Sequence, residues 1–144
     1  MKYTLGVRTL SGTAGAAAWE IRTGATPGRA RLLELGFFLV AATASQFGIG
    51  RPQAIGDSPT TPVDFLPDDP NDVLASGVIQ SALAWGTGPT VPTAYRRRIS
   101  LPATVGSGVI WTWPEGLVIP VSNSIVLWNI GTNAVVDAYA VVEI

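Results

Sequence analysis

Alternation between apolar and polar residues is the dominant pattern along the chain. In residues 2–10, Tyr3, Leu5 and Val7 fall on one face of an extended segment, and residues 17–22 repeat the pattern. A period of two is typical of a strand with one face buried. Gly, Pro, Thr and Ser separate such segments, and long runs of helix formers are absent. The pattern therefore predicts antiparallel strands that form a sandwich or a barrel.

About ten strands are predicted in this way. They cover residues 2–10, 17–22, 29–42, 46–53, 76–85, 95–101, 109–113, 117–121, 124–130 and 134–144.

Two of these strands carry further information. Residues 29–42 become continuously apolar at Phe37-Phe38-Leu39-Val40, which predicts a central strand covered on both faces. Residues 46–53 contain Gly48, Gly50 and Pro52, which favour an edge strand or a bulge.

Two short segments have the composition of tight turns. Trp113-Pro114-Glu115-Gly116 and Ile130-Gly131-Thr132-Asn133 each separate two predicted strands. We expect both to join consecutive strands as antiparallel hairpins.

A Pro-rich segment, residues 57–70, interrupts the strand pattern. It predicts a long extended loop that reaches over a neighbouring subunit, with Phe65 and Leu66 as candidate contact residues. At its end, Asp69-Pro70-Asn71-Asp72 has the composition of a helix start, with Asp69 as N-cap and Gly77 as the stop. At most one short helix is expected.

The composition indicates one domain, residues 1–144, with some apolar surface in contact with other chains. Hydrophobic residues make up 47% of the chain and charged residues only 13%. Solvent-facing positions normally take Lys, Glu, Arg and Asp, so a low charge content favours subunit contacts and a homo-oligomer. The net charge of −1, with a single Lys, gives no basic surface for nucleic acid, which we do not expect as a partner.

Candidate catalytic chemistry is sparse, because the chain has no His and no Cys. The common nucleophile–base arrangements therefore cannot form. Asp64, Asp68, Asp69 and Asp72 could in principle supply a glycosidase carboxylate pair or calcium ligands, but helix capping and exposure explain them better. We expect no enzyme activity, catalytic residue, metal, cofactor or small-molecule substrate.

Arg96-Arg97-Arg98 is the only run of charges. On a strand, Arg96 and Arg98 share one face and Arg97 points to the other. Either the run protects an edge strand from unwanted pairing, or it forms salt bridges with an acidic neighbour. We keep all three as candidate subunit-contact residues.

The five tryptophans allow a carbohydrate-binding hypothesis, because aromatic faces stack on sugars. Trp111 and Trp113 lie two residues apart and share a strand face. They form either a wall of the core, which we favour, or an exposed platform.

The chain opens without the apolar run of a signal peptide, and its longest apolar stretch, residues 35–42, is too short to cross a bilayer. We expect synthesis in a cytoplasm and no membrane partner.

Three segments of the C-terminal third are Trp113-Pro114-Glu115-Gly116-Leu117-Val118-Ile119-Pro120, Ser124-Ile125-Val126-Leu127 and Ala138-Tyr139-Ala140-Val141-Val142-Glu143. With these segments, the chain resembles a family of small tailed-bacteriophage virion proteins. The N-terminal half is similar to that family in layout: a Tyr-Thr strand, a small-residue segment, an Arg/Leu strand and a Pro/Thr-rich middle. The long loop at residues 59–70 departs from the family pattern.

The resemblance implies a jelly-roll-like β-sandwich, often trimeric, displayed on or within a phage particle. It implies a capsid decoration or cement protein at the virion surface whose partner is the major capsid protein. A vertex cap or a tail component is equally compatible with the resemblance. The alternative from the residues is a carbohydrate- or receptor-binding module.

Overall fold

The predicted alternation produces strands that bury one face in a shared core. The computed structural model describes residues 1–10, 16–24, 29–57, 62–73 and 78–144. Its elements in chain order are β1 Lys2–Arg8, β2 Ala17–Thr23, β3 Ala30–Leu39, β4 Ser45–Gly50, β5 Pro62–Asp64, β6 Leu66–Pro67, β7 Ile79–Ala82, β8 Arg97–Leu101, β9 Gly108–Ile119, β10 Ser124–Asn129 and β11 Val136–Glu143.

These strands form two antiparallel sheets. Sheet A has the order β6-β1-β11-β3-β9, and sheet B has the order β5-β7-β2-β10-β4-β8. The predicted all-β antiparallel sandwich is therefore confirmed.

The pairing scheme is that of a jelly roll. β1 pairs with β11, β2 with β10, β3 with β9 and β4 with β8, so the chain forms one long antiparallel ribbon. Rolling this ribbon brings β11 against β3 and β10 against β4, which divides the eight strands between two sheets. β5, β6 and β7 belong to an insert, residues 51–96, between β4 and β8.

The core lies between the two sheets and is rich in aromatic side chains. Phe37 of β3 contacts Phe47 of β4 and the edge of Trp111 of β9, with both ring centroids 5.2 Å away. Trp19 of β2 stacks on Phe65 of the insert at 6.2 Å. Large apolar burial of this kind is the main stabilising contribution to a sandwich.

The strand covered on both faces is β10, not β3. All six residues of β10 are buried, and it lies between β2 and β4. β3 is an interior strand of sheet A, but Phe38 on its outer face is only half-buried. The prediction for residues 29–42 was therefore wrong about the covering, because an apolar run does not reveal which sheet receives a further layer.

β4 is an interior strand, so the prediction of an edge or a bulge was wrong. Its glycines allow the insert to approach sheet B closely. A Cβ on Gly48 would lie 2.7 Å from Ile130 and 2.9 Å from Tyr95, and one on Gly50 would lie 3.1 Å from Pro92.

The two predicted hairpin turns were also wrong. Trp113-Pro114-Glu115-Gly116 lies inside the single strand β9, where the pairing passes from Leu32↔Leu117 to Glu34↔Thr112 and leaves a bulge. The bulge places Gly116 at φ 80°, a conformation that favours glycine. Residues 130–133 connect β10 of sheet B to β11 of sheet A, so they cross between the sheets.

The part of the Pro-rich segment that the structure describes lies against the chain's own sheets. β5 extends sheet B beside β7, and β6 extends sheet A beside β1. Phe65, between β5 and β6, crosses from one sheet to the other and is fully buried. The expectation that this segment reaches over a neighbour is therefore corrected for residues 62–67, and residues 58–61 lie outside the described ranges.

The predicted helix start is a turn. The Asp69 carboxylate accepts a hydrogen bond from the backbone amide of Asn71 (2.9 Å), and the Asp69 carbonyl accepts one from the backbone amide of Asp72 (2.9 Å). An Asx turn uses the same capping chemistry as a helix N-cap, which explains the error. Residues 74–77, including the expected stop at Gly77, lie outside the described ranges.

Candidate functional site

The outer face of sheet B is covered by the insert. Val126 and Trp128 of β10 and Ala82 of β7 point away from the inter-sheet core and are nevertheless fully buried. The Trp128 indole donates to the Gly50 carbonyl at 3.2 Å. Sheet B therefore packs between sheet A and a third layer made of irregular chain.

A buried carboxylate joins that layer to sheet B. Glu20 of β2 is 0% exposed, and its two oxygens accept four hydrogen bonds. The donors are the Ser124 hydroxyl at 2.7 Å, the Trp85 indole at 3.0 Å, the Gly56 amide at 3.3 Å and the Arg22 guanidinium at 3.3 Å. Four hydrogen bonds to one buried carboxylate offset the free-energy cost of removing its charge from water.

Asp57 joins the two limbs of the insert to each other. Its carboxylate accepts from the amides of Gly86 (3.0 Å) and Thr87 (2.8 Å), and its own amide donates to the Thr87 carbonyl. Arg22 adds hydrogen bonds to the carbonyls of Gly56 and Asp57. We define Glu20, Arg22, Asp57, Trp85 and Ser124 as the polar cluster, and its full pairing indicates a structural role.

Sequence reasoning missed the polar cluster. Glu20 occupies an outward position in the alternation of β2, where a solvent-exposed Glu is ordinary. Trp85 closes the predicted strand at residues 76–85 and precedes a turn, so no sequence signal marked it as a partner of Glu20.

The outer face of sheet A has no such cover from the described residues. Tyr139 of β11 lies flat over Gly36 of β3, so a Cβ on Gly36 would collide with the phenol ring. Ile110 of β9 is 50% exposed. Partial burial, the Glu34 charge and a hydrogen bond with Glu34 raise the pKa of Tyr139.

One end of the sandwich is uncharged. Four connections meet there: β1 to β2, β3 to β4 (residues 40–44), β8 to β9 (residues 102–107) and β10 to β11 (residues 130–135). In their described residues none carries Asp, Glu, Lys or Arg, while Leu10 is 51% and Val105 64% exposed. We call this surface the neutral end.

The nearest charges to the neutral end neutralise each other. Arg8, at the end of β1, pairs with Asp137 of β11 at 2.7 Å. The guanidinium beside it lowers the pKa of Asp137, which therefore stays ionised at neutral pH.

The arginine run lies at the start of β8, the edge strand of sheet B: Arg96 precedes the strand, and Arg97 and Arg98 are its first residues. Arg96 and Arg98 are exposed, and Arg97 turns the other way, as the alternation predicts. The Arg97 guanidinium lies 4.7 Å from the Trp113 ring centroid and donates to the Thr112 carbonyl at 3.1 Å. Arg97 therefore links the edges of the two sheets, whereas Arg96 and Arg98 remain accessible.

The two other candidate contact residues have opposite environments. Leu66 is 59% exposed on β6, so its side chain is available to a partner. Phe65 is 0% exposed within the core, which removes its side chain from the candidate contacts.

The tryptophans do not form an exposed platform. Trp111 is 8% exposed and packs on Phe37, which confirms the core prediction for that residue. Trp113 packs partly against the core beneath Arg97, and Trp85 is half-buried with its indole nitrogen on Glu20.

The acidic residues near the Pro-rich segment do not converge on a common site. Asp68 accepts from the Thr4 hydroxyl at 2.6 Å, and Asp69 holds its own turn. Across the described residues, no group of three or more His, Cys, Asp or Glu side chains could hold a metal ion.

Two further findings bear on function. No helix among the described residues has the length and apolar character needed to span a bilayer. No protein-family model matches the sequence, and no curated protein and no solved structure matches it. The neutral end exposes Leu10 and Val105, and the β8 edge exposes Arg96 and Arg98, so these two surfaces are the candidates for contact with a partner.

Proposed function

We propose that the chain is a structural bacteriophage virion protein, a capsid decoration or cement protein that stabilises the shell by binding the major capsid protein. It is made in the host cytoplasm and displayed at the capsid surface as a homo-oligomer. The sequence resemblance suggests this role, and the neutral end is the observation that supports it best.

The neutral end has the composition of the centre of a protein–protein interface. Such centres are depleted in charged residues, because each ion pays a desolvation penalty when a partner covers it. Leu10 and Val105 expose more than half of their surface there. Covering apolar surface contributes about 25 cal/mol per Å², so a flat protein surface is a suitable partner.

The neutral end is also held rigidly. Val40 donates to the Val135 carbonyl at 3.2 Å, Leu39 to Ser107 at 2.8 Å, and Gly106 to the Leu39 carbonyl at 2.9 Å. A surface ordered before binding loses little conformational entropy when the partner arrives. This favours firm attachment to a shell.

Co-sedimentation with purified capsids that lack the protein tests the proposal. We expect the wild-type chain to pellet with the capsids and to raise the temperature at which they open. Val105→Asp should abolish both effects, because it buries a charge in the contact. Val91→Asp, at a 45% exposed site in the insert, is the matched control and should behave as wild type.

Mass spectrometry of purified virions gives an independent test. A decoration protein should be present in numbers comparable to the capsid subunits. Absence from the particle, or a few copies only, would contradict the decoration role.

The carbohydrate-binding alternative receives less support. Trp111 and Trp113, on which it rested, pack against the core. A glycan array on which the wild-type chain binds a defined sugar, and Trp113→Ala does not, would favour that alternative instead.

A further inference from the structure

We propose that copies of this chain associate head-to-tail into a closed ring, through two oppositely charged edges of the sandwich. The inference extends the proposed assembly role by naming the surfaces that join the copies. It rests on the distribution of charge around the fold.

The basic edge consists of Arg51, Arg96, Arg97 and Arg98. Arg51 follows β4, the neighbour of β8, Arg96 directly precedes β8, and Arg97 and Arg98 are its first two residues. Arg8 pairs with Asp137 and Arg22 with Glu20, and neither ion pair involves the basic edge. Four of the nine cationic residues are thus concentrated at one edge.

Arg51 shows that the basic edge lacks an acceptor. Its Nη1 atom is buried and has no hydrogen-bond partner. Burial and the neighbouring Arg96 charge lower the pKa of Arg51, which is the environment of a cation without a counter-charge. The exposed guanidiniums of Arg96 and Arg98 are accessible to a carboxylate from another copy, which would offset this repulsion between like charges.

The chain carries a matching acidic edge on its opposite side. Asp64 belongs to β5, the edge strand of sheet B, and Asp68, Asp69 and Asp72 follow β6, the edge strand of sheet A. Asp68, Asp69 and Asp72 follow one another within five positions. Lys2 is close by, but its strand register places it opposite Glu143, which leaves the region net negative.

The two edges stand at the same level along the strands. Arg97 pairs in register with Ile49, which precedes the final residue of β4. The backbone amide of Asp68 donates to the carbonyl of Lys2, the first residue of β1. Both positions belong to the end of the sandwich away from the neutral end. Sideways contact between copies would therefore bring arginines and aspartates together, and it would leave every neutral end pointing in one direction.

Such a contact is heterologous, because different surfaces of the two copies meet. Heterologous contacts produce rings when the rotation between copies closes. Opposite charges set the register and accelerate the encounter. A ring of this kind would present all of its neutral ends to one shell surface, which increases their combined attachment.

Sedimentation equilibrium of the isolated chain tests the inference without any virus particle. We expect the wild-type chain to have an integral multiple of its 15.0 kDa mass at low salt and to dissociate as NaCl rises, because salt screens exposed charges. Arg96→Glu/Arg98→Glu and Asp68→Lys/Asp69→Lys should each weaken self-association by about tenfold or more. Arg29→Glu, a charge reversal away from both edges, should leave it unchanged.

Mixing the two double variants is the decisive step. Each repels itself, but one variant has two acidic edges and the other two basic edges, so the mixture should re-associate into species that contain equal numbers of the two variants. A wild-type chain that stays monomeric at low salt, or a mixture that remains dissociated, would overturn the inference. Binding of the basic edge to nucleic acid in place of a second copy would overturn it as well.

Failure of this inference and failure of the proposed function are distinguishable. A ring in solution that never pellets with capsids contradicts the virion role alone. A monomer that pellets with capsids contradicts the ring and the homo-oligomer but leaves the attachment to the shell standing.

Discussion

The two outer faces of the sandwich differ although both belong to antiparallel sheets of similar width. The outer face of sheet B carries Trp128, Val126 and Glu20, all fully buried beneath the insert. The outer face of sheet A carries Tyr139 and Ile110, which reach solvent. One sheet is thus enclosed on both sides and the other only on its core side.

This difference changes what the low charge content means. Some of the apolar side chains are buried between sheet B and the insert, which forms a third layer over that sheet. The remainder is available to partners and includes the neutral end, the outer face of sheet A and single side chains such as Leu66. Composition alone overstates the area of subunit contact when a domain has more than two layers.

Removing an aromatic side chain from each outer face should produce the largest difference in stability between the two faces. Trp128→Ala should lower the free energy of unfolding by about 3–5 kcal/mol, because it leaves a cavity under the insert. Tyr139→Ala, on the open face of sheet A, should cost less than half as much. Urea unfolding followed by circular dichroism measures both, and equal losses would show that the two faces are equally buried.

Removing the buried carboxylate should have the next largest effect. Glu20→Ala removes the acceptor of the Trp85 indole and of the buried Ser124 hydroxyl and leaves the Arg22 charge without its counter-ion, so it should cost about 3–5 kcal/mol. Glu20→Gln keeps an acceptor oxygen and should cost less. Limited proteolysis should cut the insert faster in Glu20→Ala than in the control Glu34→Ala, and identical cleavage would show that the polar cluster does not hold the insert.

Adding a methyl group to a glycine of each face should have a smaller effect. In Gly48→Ala the new Cβ meets Ile130, Tyr95 and the Arg97 backbone, so we expect a cost of about 1–3 kcal/mol. In Gly36→Ala it meets only the Tyr139 ring, which can swing into solvent. Thermal unfolding should therefore rank Gly48→Ala well below Gly36→Ala.

The smallest expected effect is a pH dependence confined to the open face. The pKa of Tyr139 is raised in the folded chain, so its contribution is fully present below the unfolded pKa near 10 and is lost as pH rises towards the folded pKa. Tyr139→Phe should flatten the alkaline fall in stability, and ultraviolet titration should show one late-ionising phenol fewer. Unchanged titration would contradict this environment for Tyr139.

The strand content of the fold was predictable, whereas the insert was not. Alternation at Tyr3, Leu5, Trp19 and Ile21 is a local property, and the structure buries all four. Whether Gly48 lies at an edge or under another layer depends on residues some 45 positions away, such as Tyr95. The same limit explains the error over β10, whose outward positions are apolar because the insert covers them.

The candidate contact residues show the same division between local and distant information. Arg96 and Arg98 were placed correctly on one exposed face, because that follows from the geometry of a single strand. Phe65 was misplaced, because its burial depends on Trp19 in another strand. Glu20 was overlooked for the corresponding reason: its donors come from four separate parts of the chain.

The nested strand pairing also has a consequence for folding. β1 completes its pairing only with β11, which follows all the other described strands, and no described strand pairs with its immediate successor in the chain. Contacts so distant in sequence form slowly, since a long stretch of chain must first be ordered. The folding chain therefore keeps the β11-facing edge of β1 and the β10-facing edge of β2 unpaired until late, which makes slow folding with exposed strand edges the expected behaviour.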